Sequence, residues 1–149
     1  MSLLQEAVDA VVSAAGWRRA EPDAGGVYHF RLQGDLDMDM LSPDGRNCIL
    51  RGDLGRLPDG EAEAESLLRL CAGRVVASCR RRSSILSLQD GRLILHRIVR
   101  MDASDPGTVS RQAKGFLNDL AWWQAQLAAG ANNASPLSAF GGMNAWMMR

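Results

Sequence analysis

The sequence has 149 residues, of which 46% are hydrophobic and 23% are charged. This length and balance suit one folded domain with a single core, and they exclude a wholly disordered chain. The 17 acidic and 17 basic residues cancel, so the chain lacks the global positive charge with which proteins attract nucleic acid or anionic membranes. We therefore expect neither of these partners.

The beginning of the sequence has no features of an export signal. Residues 1–6 include no basic region, and acidic residues interrupt the apolar positions that follow. No apolar run in the sequence reaches the length of a membrane span. The cysteines Cys48, Cys71 and Cys79 are odd in number and lack paired spacing, which favours reduced thiols over a disulfide framework. We therefore expect a cytoplasmic protein.

A helix and three strands are predicted in the first part of the chain. Ser2 and Gln5 form a capping box, and apolar residues at helical spacing follow as far as Gly16. Turn residues at 34–35 and 43–45 then separate three segments in which apolar and polar residues alternate as in half-buried strands. The apolar positions of these strands are Tyr28, Phe30, Leu32, Leu36, Met38, Met40, Cys48, Leu50 and Leu54.

From Glu61 the apolar period changes to that of a second helix. One face of this helix carries Ala64, Leu67, Leu68, Cys71 and Val75. Further on, Asp90-Gly91 lies between two alternating apolar runs, which predicts a β-hairpin with a two-residue turn and Gln89 opposite Arg92. Both faces of this hairpin are apolar, so we expect it to lie centrally in the sheet or to be covered by a second subunit.

Asp105 and Pro106 can start a third helix, whose apolar stripe ends near Gly130. The stripe consists of Val109, Ala113, Phe116, Leu120, Trp123 and Leu127. The order α-β-β-β-α-β-β-α predicts an α+β fold with a twisted antiparallel sheet. We expect one domain over residues 1–129 and a flexible tail over residues 130–149, because the small residues at its start offer few contacts to offset the entropy of ordering.

The sequence lacks the usual motifs of metal, phosphate and cofactor sites. Its two histidines, His29 and His96, do not occur in a zinc-binding pattern, and the chain has no phosphate-binding loop. The alternating aspartates 35, 37 and 39 start like a calcium loop but lack its glycine and its closing glutamate. We therefore expect no cofactor, no metal and no enzymatic activity. The pairs Cys48 with His29 and Cys79 with His96 stay open as catalytic candidates beside incidental thiols.

Three segments together resemble the class I type III secretion chaperones, the Tir chaperone or CesT/SycE-like family. They are the hairpin sequence LQDGRLILHR at 88–97, the acidic link from Met101-Asp102 to Asp105, and the helix sequence FLNDLAWWQAQL at 116–127. The likeness covers about residues 3–129. Members of that family are usually distinctly acidic, whereas this chain is neutral with a sequence pI near 6.7.

The resemblance implies a homodimer in the bacterial cytoplasm that holds the N-terminal segment of a secreted effector in a non-globular, export-competent state without ATP. The secretion ATPase is a further candidate partner. Flexible thioether and aromatic side chains adapt to varied apolar partners. We expect the effector-binding residues to be Leu4, Val8, Phe30, Leu36, Met38 and Met40. We expect the dimer interface to contain Leu67, Leu68, Cys71 and Val75.

Two other interpretations stay open from the sequence alone. The first is a small α+β enzyme or ligand-binding domain that uses the cysteines and histidines. The second is a single-stranded nucleic-acid module in which the basic run 80–82 lies near aromatic residues of the sheet.

Overall fold

The computed structural model describes residues 1–134, and the predicted tail from residue 135 onward lies outside the described residues. The elements follow the predicted order: α1 (Leu3–Ala15), β1 (Tyr28–Arg31), β2 (Asp37–Leu41), β3 (Asn47–Arg56), α2 (Glu61–Ser78), β4 (Ile85–Gln89), β5 (Arg92–Arg100) and α3 (Gly107–Ala134). The five strands form one antiparallel sheet in the order β1-β2-β3-β5-β4. The α+β prediction is confirmed, and α3 continues through Gly130, where the sequence pattern suggested its end.

The local signals for α1 and for the β4–β5 hairpin have the predicted geometry. The Ser2 hydroxyl accepts a hydrogen bond from the Gln5 amide at 3.1 Å, and Gly16 ends α1 in the left-handed conformation. In the hairpin, Gln89 pairs with Arg92 across a turn whose two residues both have positive φ. Strand β5 lies inside the sheet between β3 and β4, whereas β4 is an edge strand.

One face of the sheet packs against α1 and α3 and forms the core. The alternation of the strands directs one set of apolar residues, among them Met40, Leu50 and Leu95, towards these helices, since cross-strand partners share a face. The opposite face of the sheet carries Ile49, Ile94 and Ile98. Helix α3 contacts α1, α2, β3 and β5, so it is the element that joins the rest. The fully buried large side chains are Phe116, Met38, Met40, Leu50, Leu95, Leu120, Val8, Val109 and Cys48.

Helix α3 packs against β3 at Gly52, which is buried in the middle of that strand. A Cβ atom at this position would lie 2.5 Å from Leu120 Cδ1 and 3.3 Å from Leu120 Cγ. Leu120 is only 1% exposed, so its side chain has little room to move away. The absence of a side chain at Gly52 therefore sets how closely the helix packs on the sheet.

A buried carboxylate joins α3 to two other parts of the chain. Asp119 accepts hydrogen bonds from Arg97 Nη2 of β5 at 2.7 Å, from Arg82 Nη1 at 3.0 Å and from the Ser84 hydroxyl at 2.6 Å. Arg82 also lies over the Trp122 ring, 4.4 Å from its centroid. Asp119 is 4% exposed, so this cluster, which we call the Asp119 cluster, fixes the start of β4 against α3 in a site largely shielded from water.

We expect Asp119→Ala to lower the free energy of unfolding by about 3 kcal/mol, because it leaves the largely buried Arg97 guanidinium without its carboxylate partner. Urea denaturation measures this loss. The matched control is Glu65→Ala, which removes an exposed carboxylate paired with Arg69 and should leave stability nearly unchanged. Equal stability of the Asp119 variant and the wild type would contradict a structural role for the cluster.

We expect Gly52→Ala to destabilise the protein by about 1–3 kcal/mol, because the new methyl group overlaps the Leu120 side chain. The double variant with Leu120→Ala should recover part of this loss beyond additivity, as a double-mutant cycle in urea would show. Gly73→Ala is the control: nothing lies near its Cβ position in α2, so it should stabilise by about 0.5–1 kcal/mol. Strictly additive effects at Gly52 and Leu120 would rule out this contact.

Candidate functional site

Most of the side chains predicted to bind an effector lie in the core of this chain. Val8, Met38 and Met40 are 0% exposed and Phe30 is 7% exposed. They belong to one hydrophobic cluster between the sheet and the helices. A partner cannot reach the first three in this conformation, so the apolar alternation that suggested a binding surface marks core positions instead.

The two other predicted effector-binding residues remain partly accessible. Leu4 lies on α1, and Leu36 lies in the turn between β1 and β2, where its carbonyl accepts the Leu32 amide at 2.8 Å. Strand β1 pairs with β2 on one side only, and no strand of residues 1–134 pairs with its other side. The structure therefore offers a free sheet edge beside a few half-exposed leucines.

Two grooves meet at Trp17, a residue that the sequence pattern did not single out. One, of about 840 Å³, lies between residues 16–20 and residues 29–33 next to β1. The other, of about 350 Å³, lies between the end of α1 and α3, where Leu117 forms part of its wall. Trp17 lines both, and its ring packs on Phe30 with the centroids 5.5 Å apart. We call the combined surface the Trp17 groove.

The other face of the sheet carries a row of polar pairs across β1, β2 and β3. His29 Nδ1 lies 2.7 Å from Asp39 Oδ1, and Asp39 Oδ2 accepts from Arg51 Nη2 at 2.9 Å. His29 Nε2 lies 2.8 Å from Asp23 Oδ2 in the loop before β1. Hydrogen bonds to Asp23 and then to Asp39 raise the pKa of His29 above its usual value. This arrangement holds the α1–β1 loop against the sheet.

The residues predicted for a dimer interface divide between two sides of α2. Cys71 is 4% exposed and belongs to the core, and Leu67 packs partly against it. Leu68 and Val75 are 37% and 41% exposed, and Val76 beside them is 75% exposed. Leu68, Ala72, Val75, Val76 and Cys79 follow helical spacing along one outward strip.

This strip of α2 adjoins the apolar edge of the sheet. Val75 and Ile85 of β4 line the same cavity of about 300 Å³. Ile85, Leu88 and Ile98 are between 49% and 58% exposed, although each is a large apolar side chain on β4 or β5. We define the α2–β4 surface as the strip of α2 together with Ile85, and it is an exposed apolar surface of the kind that binds other proteins. Leu88 and Ile98 lie outside it, because Leu88 is on the opposite face of β4 from Ile85 and Ile98 pairs with Ile49 on the β3 side of β5.

Neither thiol–histidine pair considered for catalysis is joined by a hydrogen bond within residues 1–134: His29 bonds two carboxylates, and Cys79 Sγ donates to the Val76 carbonyl. Burial raises the pKa of Cys48 to about 12 and also raises the pKa of Cys71, so both thiols stay protonated at neutral pH. Both ring nitrogens of His29 already contact carboxylates rather than Cys48. Within residues 1–134, no three His, Cys, Asp or Glu side chains converge as metal ligands. None of the helices in this range is long and apolar enough to cross a membrane.

The Asp119 cluster was also missed at the level of sequence, although a signal for it exists. Asp119 lies on the apolar stripe of α3, three residues after Phe116 and four before Trp123. A carboxylate on the buried face of a helix requires a cationic partner, and Arg82 and Arg97 are that partner here. By contrast, no periodic pattern contains Trp17, because it follows the Gly16 cap in an irregular segment.

Several solved protein complexes have the same fold, and one of them contains a type III secretion chaperone. The Yersinia pestis chaperone SycH, solved with a stable fragment of YscM2, gives a TM-score of 0.58 at 11% identity over 83% of this chain and 98% of that one. The ExsC–ExsE complex gives 0.61 at 15% identity, with coverage of 85% and 97%. The Pseudomonas aeruginosa ExoU–SpcU heterodimer gives 0.58 at 15% identity, with coverage of 83% and 95%.

The sequence itself supplies the family assignment. Comparison with curated proteins finds no match. The model of the Tir chaperone protein (CesT) family, however, matches residues 8–124, from the middle of α1 to the second half of α3. This range contains all five strands and most of the helical layer that covers them, and it agrees with the fold seen in the solved complexes. The chain therefore belongs to the Tir chaperone protein (CesT) family.

Proposed function

We propose that this chain is a bacterial cytoplasmic chaperone that binds the N-terminal segment of a type III secreted effector and keeps it soluble and export-competent without ATP. Family membership and the free β1 edge support this proposal. Two of the similar solved structures are a type III secretion chaperone with a fragment of YscM2 and a chaperone–effector complex of SchA with HopA1. The secretion ATPase would act as a later partner that receives the complex.

The free β1 edge is the observation on which the proposal depends. An unpaired strand edge presents amide and carbonyl groups to which an extended segment can add as a further strand. Leu36 at the end of this edge and the Trp17 groove beside it supply apolar contacts for alternate side chains of the bound segment. A non-globular segment can pair with the β1 edge, because its backbone amide and carbonyl groups are not already used in a fold.

Purification of the tagged chain from its own bacterium, followed by mass spectrometry, tests the function. We expect one dominant partner whose export through the type III pathway falls when the chaperone gene is deleted. A partner that is exported equally well without the chaperone, or the absence of any exported partner, would refute the proposal.

We expect Leu36→Asp to reduce retention of that partner by about tenfold or more, because it places a charge among the apolar contacts at the β1 edge. Leu57→Asp is the matched control: Leu57 is also partly buried but lies in the link between β3 and α2. Both variants should show similar melting temperatures. Equal retention by the two variants would mean that the effector binds elsewhere.

We also propose that two copies of the chain associate through the α2–β4 surface. Burying apolar side chains is the main favourable contribution to such association, and Val76, at 75% exposed, gains most from being covered. A twofold axis would bring the same strip from both copies together, as in most homodimers. This arrangement leaves β1 free, since β1 and β4 are at opposite edges of the sheet.

We expect Leu68→Asp and Val75→Asp, made separately, to convert a dimer to a folded monomer, because each charge would be buried in the interface without a partner. Light scattering coupled to gel filtration measures the mass at micromolar concentration. Ala62→Asp is the control on the same helix, at an exposed position outside the strip, and should remain dimeric. A monomeric wild-type protein would overturn this interface.

A further inference from the structure

The charged side chains that line the Trp17 groove are basic. No Asp or Glu lines it in the part of the chain that the structure describes. Its cationic lining residues are Arg18, Arg19, Arg31, Arg111 and Lys114. The whole chain is neutral, with equal numbers of acidic and basic residues, so this concentration is a local feature of the surface and not a result of composition.

Three of these five cations are not neutralised within residues 1–134. Arg111 Nη2 bonds Asp105 Oδ2 at 2.8 Å, and Arg31 Nε lies 3.7 Å from Asp37 Oδ1. Among the described residues, no ion pair involves Arg18, Arg19 or Lys114. These three side chains are exposed at the rim of the groove and are free to bind an external anionic group.

The floor between these cations is apolar. Trp17 packs on Phe30, while Val11, Ala113 and Leu117 form the wall on the helical side. An apolar floor with a basic rim complements a polypeptide whose apolar side chains alternate with carboxylates. An extended conformation provides this alternation, because successive side chains of a strand point to opposite sides.

We propose that the Trp17 groove selects an extended segment in which acidic residues flank apolar ones, and that Arg18, Arg19 and Lys114 determine this specificity. The inference rests on the proposed function, in which the bound segment belongs to a secreted effector. It adds the chemistry by which that segment is recognised. The cations act through charge complementarity at the rim, which speeds encounter and disfavours basic or neutral segments. The apolar floor supplies the contacts common to all segments.

Two labelled synthetic peptides of about 12 residues test the selection, a length that spans about 40 Å when extended. Both carry the same Val and Leu residues, with either Glu or Gln between them. Fluorescence anisotropy at about 50 mM salt should show the Glu peptide binding the wild-type protein about tenfold more tightly than the Gln peptide. The difference should shrink at about 500 mM salt, where screening is strong.

The triple variant Arg18→Gln, Arg19→Gln and Lys114→Gln should bind both peptides equally. Its matched control, Arg56→Gln, Arg80→Gln and Arg81→Gln, removes the same charge from exposed arginines outside the groove and should keep the tenfold preference. The inference is overturned by equal affinity of the wild type for the two peptides, by failure of both to bind, or by the same loss in the control. Displacement of the Glu peptide by an oligothymidine would also overturn it, since the groove would then be a nucleic-acid site.

These outcomes separate the inference from the proposed function. A chain that retains an exported effector in its own bacterium but does not distinguish the two peptides is a chaperone without this selectivity. A chain that prefers the Glu peptide but has no exported partner has the selectivity and serves another acidic protein.

Discussion

The buried ion pairs of Asp119 join α3 to β5 and to the link between α2 and β4. Strand β4 is an edge strand with a strand neighbour on one side only, and an irregular link joins α2 to it. Asp119 binds Ser84 at the start of β4, Arg82 in the link and Arg97 in β5. The position of the α2–β4 surface therefore depends on one carboxylate of α3, whose charge would be costly to bury without these partners.

Local sequence patterns predicted the elements of this fold because each element has its own signal. The Asp90-Gly91 turn and the alternation around it determined the pairing of Gln89 with Arg92 before any tertiary contact was known. The same alternation could not say whether Met38 faces solvent or the core, because period two fixes which residues share a face and not what covers that face. The coverage depends on α3, which packs across the strands from far along the sequence.

The two proposed binding surfaces differ in chemistry, and the difference follows from their positions. The α2–β4 surface is apolar and lies at one edge of the sheet, which suits a permanent interface between two identical copies. The Trp17 groove lies beside the opposite edge and mixes an apolar floor with free cations. A charged rim stays hydrated when the groove is empty, so this surface can remain open until a segment arrives.

The place of α3 in the chain has a consequence for synthesis on the ribosome. Leu50 of β3 and Leu95 of β5 are made before α3, which packs on both strands, so their burial is complete only when α3 docks. The 28 residues of α3 take on the order of seconds to translate, and during that time the part of the apolar sheet face that α3 covers is exposed. We propose that this protein shields an unfolded segment of another chain, and its own sheet is exposed in the same way while α3 is being synthesised.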